Sequence, residues 1–419
     1  MTTKANTSLQ KNRLPRQPEV NIGAIGHVDH GKTTLVEGIT GVWTSAHSEE
    51  LRRGITIKVG YADAAFYKCG GCDPPKNYST TTSCPNCGKE GRLSRVISFV
   101  DTPGHESLMA IMLSGAAVMN GAILTIAADE DVPQPQTREH LLSLQMLGMK
   151  HIVIAQNKLD LVNDQEADRN YLAIKKFAKG TVAENAPIIP VSGHHKLNID
   201  ALIGAIEENI PTPKRQTKKK PLMQTLRSFD VNRPGMKITQ IHGGVIGGTL
   251  TEGEFNVGDE IVLKPGFQDE KTKNYNPITT TISSLGTSVG LVENVKTGGL
   301  VALGTTLDPT ITRADSLLGS VVGLPNELPP VHNSLKIETQ LLDMAVGAPD
   351  LIKVEKIRQG EVLRLNIGTA VTLGPVRSTN GNIIFVDLKR PICAAPGSRV
   401  AVTRRIADRW RLIGSGIIL

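Results

Sequence analysis

"NIGAIGHVDHGKTTLVEGIT", Asn21 to Thr40, holds the pattern G-x-x-x-x-G-K-T between Gly26 and Thr33. The apolar run Val20 to Ile25 before it has the character of a buried strand, and the residues from Lys32 onward suit a helix. Strand, glycine turn and helix in that order make a cradle for phosphate. Gly26 and Gly31 permit the tight turn, so that backbone N–H groups converge on phosphate oxygens. Lys32 brings a point charge to the β and γ phosphates, and the Thr33 hydroxyl is a ligand for Mg²⁺. Asp29 is out of keeping there, because a carboxylate beside a polyphosphate is repelled. Either it turns outward into water or a second Mg²⁺ neutralises the pair.

The base is read further along. In "IVIAQNKLDLV" (152–162), Asn157, Lys158 and Asp160 follow an apolar, strand-like run. Guanine offers two neighbouring donors, N1–H and the exocyclic N2–H, and one carboxylate accepts both in a fork. Adenine has no such pair, so Asp160 argues for guanine. Asn157 braces the loop and the Lys158 stem lies along the base. "PIIPVSGHHKLNIDAL" (187–202) adds a strand over Ile188–Val191, then Ser192, Gly193 and His194, whose backbone N–H groups reach toward guanine O6. A plain strand-to-helix turn is the other reading of that loop.

Two stretches are placed to sense the γ-phosphate. "VISFVDTPGHE" (96–106) sets Asp101 at a strand end, suited to hold Mg²⁺ through water. Gly104 offers a backbone N–H to the γ-phosphate, and His105 is placed to orient an attacking water. "LRRGITIKV" (51–59) supplies Thr56, a second Mg²⁺ ligand in the triphosphate state.

"GHVDHGKTT", "RGITI", "DTPGH" and "NKLD" together resemble the translational GTPases, the class of elongation factor Tu. The resemblance implies hydrolysis of GTP to GDP, with Thr56 as the switch 1 threonine and Asp101, Gly104 and His105 as the switch 2 contacts. It further implies that Val28 and Ile55 are the apolar pair flanking the catalytic histidine. The nucleotide set expected is Asp29, His30, Gly31, Lys32, Thr33 and Thr34, then Asn157, Lys158, Leu159 and Asp160, then Ser192, Gly193 and His194. A second Mg²⁺, if there is one, is expected at Asp29 and Gly54.

A narrower likeness lies in "GVWTSAHSEELRRGITIKVGYADAAFYKC", in "HESLMAIMLSGAAVMNGAILTIAADEDVPQPQTREHL" and in "LRSFDVNRPG". These resemble the gamma-subunit family of archaeal and eukaryotic translation initiation factor 2. The likeness runs from about residue 18 onward, with Asp129 where that family usually has Asn and Gly193 where it usually has Ala. It implies a GTP-dependent carrier of methionylated initiator tRNA that serves the small ribosomal subunit. It also implies a heterotrimer with alpha and beta subunits, in which the alpha partner docks on the first barrel and the beta partner on the G domain.

"CGGC" (69–72) and "CPNC" (84–87) form C-x₂-C-x₁₁-C-x₂-C. Two such pairs across a Gly/Pro/Ser/Thr-rich loop are close to a zinc-ribbon pattern. Cys69, Cys72, Cys84 and Cys87 are therefore expected to hold structural Zn²⁺ with no open coordination position. Elongation factor Tu lacks such an insert, whereas the initiation family carries one. Cys393 is left over and reads as a small buried residue.

At 419 residues the chain has room for two to four domains. It contains no run of 18 apolar residues, so no membrane helix is expected. "MTTKANTSLQKNRLPRQPEV" is polar and lacks the apolar core of a secretory signal, so a cytoplasmic, reducing compartment is expected. Net charge is +7, compatible with a nucleic-acid partner, while aromatics at 3% leave few stacking platforms.

Strand-like and helix-like segments alternate up to about Ile210, with helices expected at Lys32–Thr40, Gln136–Leu147, Asp164–Glu184 and Asn198–Asn209. "PTPKRQTKKKP" (211–221) reads as an extended basic linker, either solvated or touching RNA phosphate. Short alternating runs with Gly and Pro every 8–12 residues follow in two blocks. The expected architecture is thus an α/β P-loop GTPase domain (1–210) with a zinc-knuckle insert (68–88), the linker, and two all-β barrels (222–326 and 327–419). "SRVAVTRRIADRWRLIGSG" carries five arginines. They form either a basic RNA face or, the preferred reading, strand-edge charges that block aggregation. The rivals for function are an elongation-type carrier of ordinary or selenocysteinyl tRNA, a GTPase regulating a metabolic enzyme without binding RNA, and a nucleotide-locked scaffold.

Overall fold

The computed structural model describes residues 14–45, 56, 58–105, 108–269, 271–345 and 352–419. Gly54 and Ile55, two of the expected site residues, lie outside the described residues. The first unit is a sheet of β1 (Val20–Ile25), β2 (Gly60–Lys68), β3 (Tyr78–Ser79), β4 (Arg92–Asp101), β5 (Gly121–Ala127), β6 (Ile152–Asn157) and β7 (Ile188–Pro190). Their order is β3-β2-β4-β1-β5-β6-β7. β1 pairs in parallel with both β4 and β5, and β2 alone runs against the rest, antiparallel to its neighbours β3 and β4.

Both faces of this sheet are covered, and the alternation of its side chains decides by what. Ile22, Ala24, Ile123, Val153 and Ala155 pack with Leu35, Val36 and Ile39 of α1 (Lys32–Thr40). They do not reach the same layer as Ile25, Leu124 and Ile154, which point the other way. That second layer meets Met109, Met112 and Leu113 of α2 (Met109–Ala116), Leu141 and Leu144 of α3 (Pro135–Met146), and Ile174 of α4 (Asp164–Ala178). α5 (Ile199–Asn209) closes the α1 side with Leu202, Ile203 and Ile206. Each of the Val, Leu, Ile and Met side chains among these contributes roughly 1.5–3 kcal/mol by leaving water. The strand order reverses at β1, which puts a binding crevice beyond the C-terminal ends of β1, β4 and β5.

Two elements differ from expectation. α4 begins on a reciprocal capping box between Asn163 and Glu166, but stops at Ala178 rather than Glu184. The chain turns at Lys179 (ψ 132°) and Gly180 takes a left-handed φ of 74°. α2 was not foreseen, because "MAIMLSGA" offers no polar face against which a helical period stands out.

The second unit comprises β8 (Leu222–Phe229), β9 (Val245–Glu252), β10 (Glu254–Asn256), β11 (Glu260–Gln268), β12 (Tyr275–Thr287), β13 (Gly290–Val292), β14 (Asn294–Lys296), β15 (Val301–Thr305) and β16 (Val321–Gly323). The β11–β12 pairing closes a ring of β11-β16-β8-β9-β15-β12, with β13 added beside β12 and β10–β14 as a separate ribbon. The third unit is a closed barrel of β17 (Val331–Leu341), β18 (Val362–Ile367), β19 (Ala370–Asn380), β20 (Ile383–Cys393), β21 (Arg399–Ile406) and β22 (Arg409–Ile418).

That closure corrects the preferred reading of the arginine-rich stretch. β21 is paired on both sides, by β18 and β22, and β22 by β17 and β21, so these strands have no free edge to protect. Arg404 instead pairs with Glu361, Arg405 with Asp408 at 3.0 Å, and Arg364 lies 5.1 Å over the Trp410 ring.

The barrels are fastened to the first unit differently. Ala401 and Leu412 of the second barrel belong to the apolar layer around α2 and α3. The first barrel is held by polar contacts centred on Asn21, at the start of β1, which is only 2% exposed. Its amide Nδ2 donates to Val118 O (3.1 Å) and Thr249 Oγ1 (3.2 Å), and its Oδ1 accepts the Gly299 N–H at 2.9 Å. Gln17 adds donations to Lys296 O and Gly298 O.

Asn21→Ala strands the buried Gly299 N–H and the Thr249 hydroxyl. We expect a loss of about 2 kcal/mol, read as a lowered midpoint of the first denaturant transition. An unchanged midpoint would show that Asn21 does not hold the first barrel.

Candidate functional site

The turn after β1 is built before any ligand arrives. Gly26 has φ 141°, and a Cβ there would lie 2.3 Å from Thr125 O. Gly31 has φ 79°, and a Cβ there would strike Asn157 Nδ2 at 2.5 Å. Asp29 is also left-handed, at φ 63°, and stands exposed, turned out to solvent. Lys32 is only 6% exposed, and its Nζ donates to His27 O at 2.6 Å across the loop. Burial pushes its ammonium down to about 8, against Asp101 and Asp29, which favour the charged form.

Three histidines surround this turn. His140 of α3, which sequence reasoning missed, is fully buried and accepts the Gly26 N–H on Nδ1 at 3.1 Å. His30 is 1% exposed and donates from Nδ1 to Thr125 O at 3.0 Å. Burial holds both rings down to about 3, so they are neutral at ordinary pH. His30 Nε2 lies 3.3 Å from Glu130, which is therefore a contact to a neutral ring and not an ion pair. Burial lowers His27 as well, with Lys32 adding to it.

The oxygens of the expected Mg²⁺ ligands come together. The Thr33 hydroxyl donates to Asp101 Oδ2 at 2.7 Å and lies 3.1 Å from Thr56 Oγ1. Asp101 is fully buried and also accepts the Thr44 hydroxyl at 2.6 Å, a contact no sequence motif announced. Ser45 Oγ lies 2.9 Å from Thr56 Oγ1. A buried carboxylate ringed by hydroxyls is a hard-oxygen donor set and fits Mg²⁺. Gly104 sits against the turn so closely that a Cβ would lie 2.6 Å from Lys32 Nζ and 2.8 Å from Val28 N. His105 follows, exposed in the bend beyond the end of β4. Thr34 is the third residue of α1, half-buried behind the turn.

On the base side Asn157 joins three loops. Its Nδ2 donates to His30 O at 2.9 Å and its Oδ1 accepts the Gly193 N–H at 3.0 Å. Lys158 is left-handed (φ 62°) and its Nζ lies 3.3 Å from Asp129 and 3.7 Å from Glu130. Leu159 opens a single 3₁₀ turn that presents Asp160. The Ser192 hydroxyl holds the Asp160 carboxyl below its ordinary range, so it is ionised and accepts. Of the expected backbone donors, Gly193 N–H is taken by Asn157 and Ser192 N–H by Leu197 O. His194 N–H alone of the three has no protein acceptor among the described residues.

The four cysteines converge, with all four Sγ atoms within 4.8 Å of one another. Gly71 N–H donates to Cys69 Sγ at 3.2 Å, and the backbone N–H of Lys89 draws the Cys87 thiol down to about 7. Four sulfurs on two turns at this spacing suit a tetrahedral soft-ligand ion such as Zn²⁺. The insert rests on the sheet through Tyr78 of β3, which packs against Gly204 of α5; a Cβ there would be 3.1 Å from the ring. Cys393 lies apart, buried in β20. No helix among the described residues is long and apolar enough to cross a membrane.

Comparison with known proteins agrees with this geometry. Residues 17–212 match the Elongation factor Tu GTP binding domain family, and residues 333–418 match the family described as Initiation factor eIF2 gamma, C terminal. The translation initiation factor 2 subunit gamma of Archaeoglobus fulgidus is 56% identical over 96% of this chain and 94% of its own length. That of Methanocaldococcus jannaschii is 53% identical over 98% of this chain and its own full length. Among solved structures, a bacterial selenocysteine-specific elongation factor superposes with a TM-score of 0.73 at 22% identity, covering 96% of this chain. This chain spans 58% of that protein. Elongation factor SelB of Methanococcus maripaludis, in complex with a GTP analogue, gives 0.70 at 21% identity over 97% of this chain and 80% of its own. These two show the fold. The chain belongs to the family of translation initiation factor 2 gamma subunits, and is a translational GTPase that hydrolyses GTP to GDP.

The buried histidines set an acid limit. Their folded pKa of about 3 lies below the ordinary 6.5, so the unfolded chain takes up protons that the fold refuses. Their stabilisation is complete above pH 6.5 and is lost as pH falls toward 3. We expect each to contribute about 2 kcal/mol of the stability lost between pH 7 and 5. In His140→Gln that pH slope should become shallower by one histidine's share; an unchanged slope would mean that His140 protonates within the fold.

Proposed function

We propose that this family member carries methionylated initiator tRNA to the small ribosomal subunit in its GTP state, and releases it once the start codon is recognised and GTP is hydrolysed. It does so in the cytoplasm, as the core of a heterotrimer with alpha and beta subunits. The observation that carries the switch reading is the hydrogen-bonded set of Thr33, Thr56 and Asp101. It joins the phosphate turn, the switch 1 threonine and the end of β4, so the three are linked where a triphosphate and its ion would be felt.

In this reading the amides of Asp29 to Thr34 and the Lys32 ammonium hold the phosphates. Thr33 and Thr56 would ligate Mg²⁺ directly and Asp101 through water. When bound, that ion neutralises charge on the β and γ oxygens. The Gly104 N–H meets the γ-phosphate, and His105 orients the attacking water while Val28 helps exclude bulk solvent. Asp160 accepts the two guanine donors, Lys158 covers the base, and the His194 N–H is the donor left for O6. Loss of the γ-phosphate releases Gly104 and Thr56, so both switches rearrange. Asp29 is exposed, open either to water or to a second Mg²⁺. Cys69, Cys72, Cys84 and Cys87 would hold a structural Zn²⁺ with no open position for chemistry.

Asp160→Asn reverses donor and acceptor at the base. GTP affinity should drop at least about tenfold, as a charged fork is lost, and xanthosine triphosphate should be preferred. Unchanged GTP affinity in a filter-binding titration would remove Asp160 from base reading.

The carrier reading is tested by binding charged initiator and charged elongator Met-tRNA to the heterotrimer, with a non-hydrolysable GTP analogue or GDP at fixed salt. Initiator preference, strongest with the analogue, is expected. Equal binding of both tRNAs would indicate an elongation-type carrier, and no binding in either state a regulatory GTPase.

A further inference from the structure

Lys58 lies two residues after Thr56, and its Nζ pairs with Asp315 Oδ2 of the first barrel at 2.9 Å. Asp315 is shared. Its Oδ1 accepts Arg227 Nε at 2.9 Å and the Ser228 N–H at 3.1 Å, both from β8. The carboxylate stands on an unusual piece of backbone. Within the Pro309–Asp315 segment, Ala314 (φ 53°) and Asp315 (φ 60°) are consecutive left-handed residues, neither of them glycine. Such pairs persist only where surrounding contacts over-determine them, and they gather at switch regions. Here the contacts that fix the turn are the ones that aim Asp315 at the switch 1 flank. The side chain is 16% exposed and Lys58 41%, so the link is half-shielded from water.

We propose that Asp315 is the first barrel's reader of switch 1: the Lys58–Asp315 pair couples the position of Thr56 to the first barrel, so that nucleotide state and barrel placement bias one another. The inference rests on the GTP-switch reading above. Thr56 touches Thr33 at one end of the path and Lys58 reaches Asp315 at the other, with only one residue between Thr56 and Lys58. When Thr56 leaves Thr33, the short tether draws Lys58 off Asp315, whose charge then rests on Arg227 and Ser228 alone. Linkage makes the effect reciprocal: a pair formed only when switch 1 is closed favours the nucleotide that closes it.

The test uses the full chain. Dissociation constants for a non-hydrolysable GTP analogue and for GDP are measured in the wild type, Lys58→Met, Asp315→Asn and the double variant. Lys58→Met leaves the Arg227 and Ser228 contacts intact, so it separates loss of coupling from damage to the barrel. Either single variant is expected to shift the GDP-to-analogue affinity ratio toward GDP by about fivefold or more, and the double variant no further. Hydrogen exchange over residues 309–315 supplies a second readout, expected to be slower with the analogue than with GDP in the wild type and indifferent to nucleotide in Lys58→Met. A wild-type ratio retained by Lys58→Met, or single effects that simply add, would overturn the coupling and leave the GTPase reading standing. A wild type that binds neither nucleotide would overturn both.

Discussion

One side-chain amide ties the nucleotide site together. Asn157, 3% exposed at the end of β6, donates to the turn after β1 and accepts from the loop after β7. Three loops that leave different strands are fixed to one another by a rigid planar group with both ends satisfied, inside a low-dielectric interior where such bonds are strongest. The constraint propagates outward. Gly31 can be nothing but glycine because Asn157 Nδ2 occupies the space of a Cβ. Gly193 spends its amide on Asn157, and the adjoining Lys158 takes a left-handed turn that lets Asp160 face the same crevice. The phosphate turn and the loop after β7 are thereby fixed to one another by the protein itself.

Much of this was legible in the sequence, for reasons that can be stated. The phosphate turn, the N-K-x-D loop and the paired cysteines are local patterns whose chemistry depends on spacing, so they survive reading in one dimension. Alternation between strand and helix pointed to the α/β domain, and turn residues every 8–12 positions to the barrels. What escaped is non-local or unpatterned. His140 looks like any helical histidine until α3 sets it beneath Gly26. Thr44 reaches Asp101 from 57 positions away and Lys58 reaches Asp315 from 257. α2 hides because it is apolar all round, and the arginine-rich strands were misread because closure of a barrel cannot be seen in a strand's own residues.

The two barrels meet the nucleotide-binding unit by different physics. The second contributes Ala401 and Leu412 to an apolar layer shared with α2 and α3, and Asn366 donates to Ala110 O at 3.0 Å. Shared apolar packing has no alternative partner in water and resists separation. The first barrel has its own core, with no residue of the nucleotide unit in it among the described residues. It meets that unit through amides, hydroxyls and ion pairs, and across β2 through Asp63. Burial raises the Asp63 carboxyl, while the hydroxyls of Ser98 and Ser288 favour its ionised form. Polar groups of that kind find water as an acceptable substitute when they part, which makes this the interface better suited to change.

Asn21 gains a different meaning from its position. Among the first barrel's attachments to the nucleotide unit are the Asn21 cluster at the start of β1 and the Lys58 pair beside Thr56. A rigid body held at two points keeps its orientation; held at one, it swings. Asn21 belongs to a central strand of the sheet, paired on both sides, whereas Lys58 lies two residues from Thr56. Were the Lys58 pair to open as proposed, the buried amide would be a fulcrum, and the barrel an arm turning a small displacement beside Thr56 into a larger sweep at its far side.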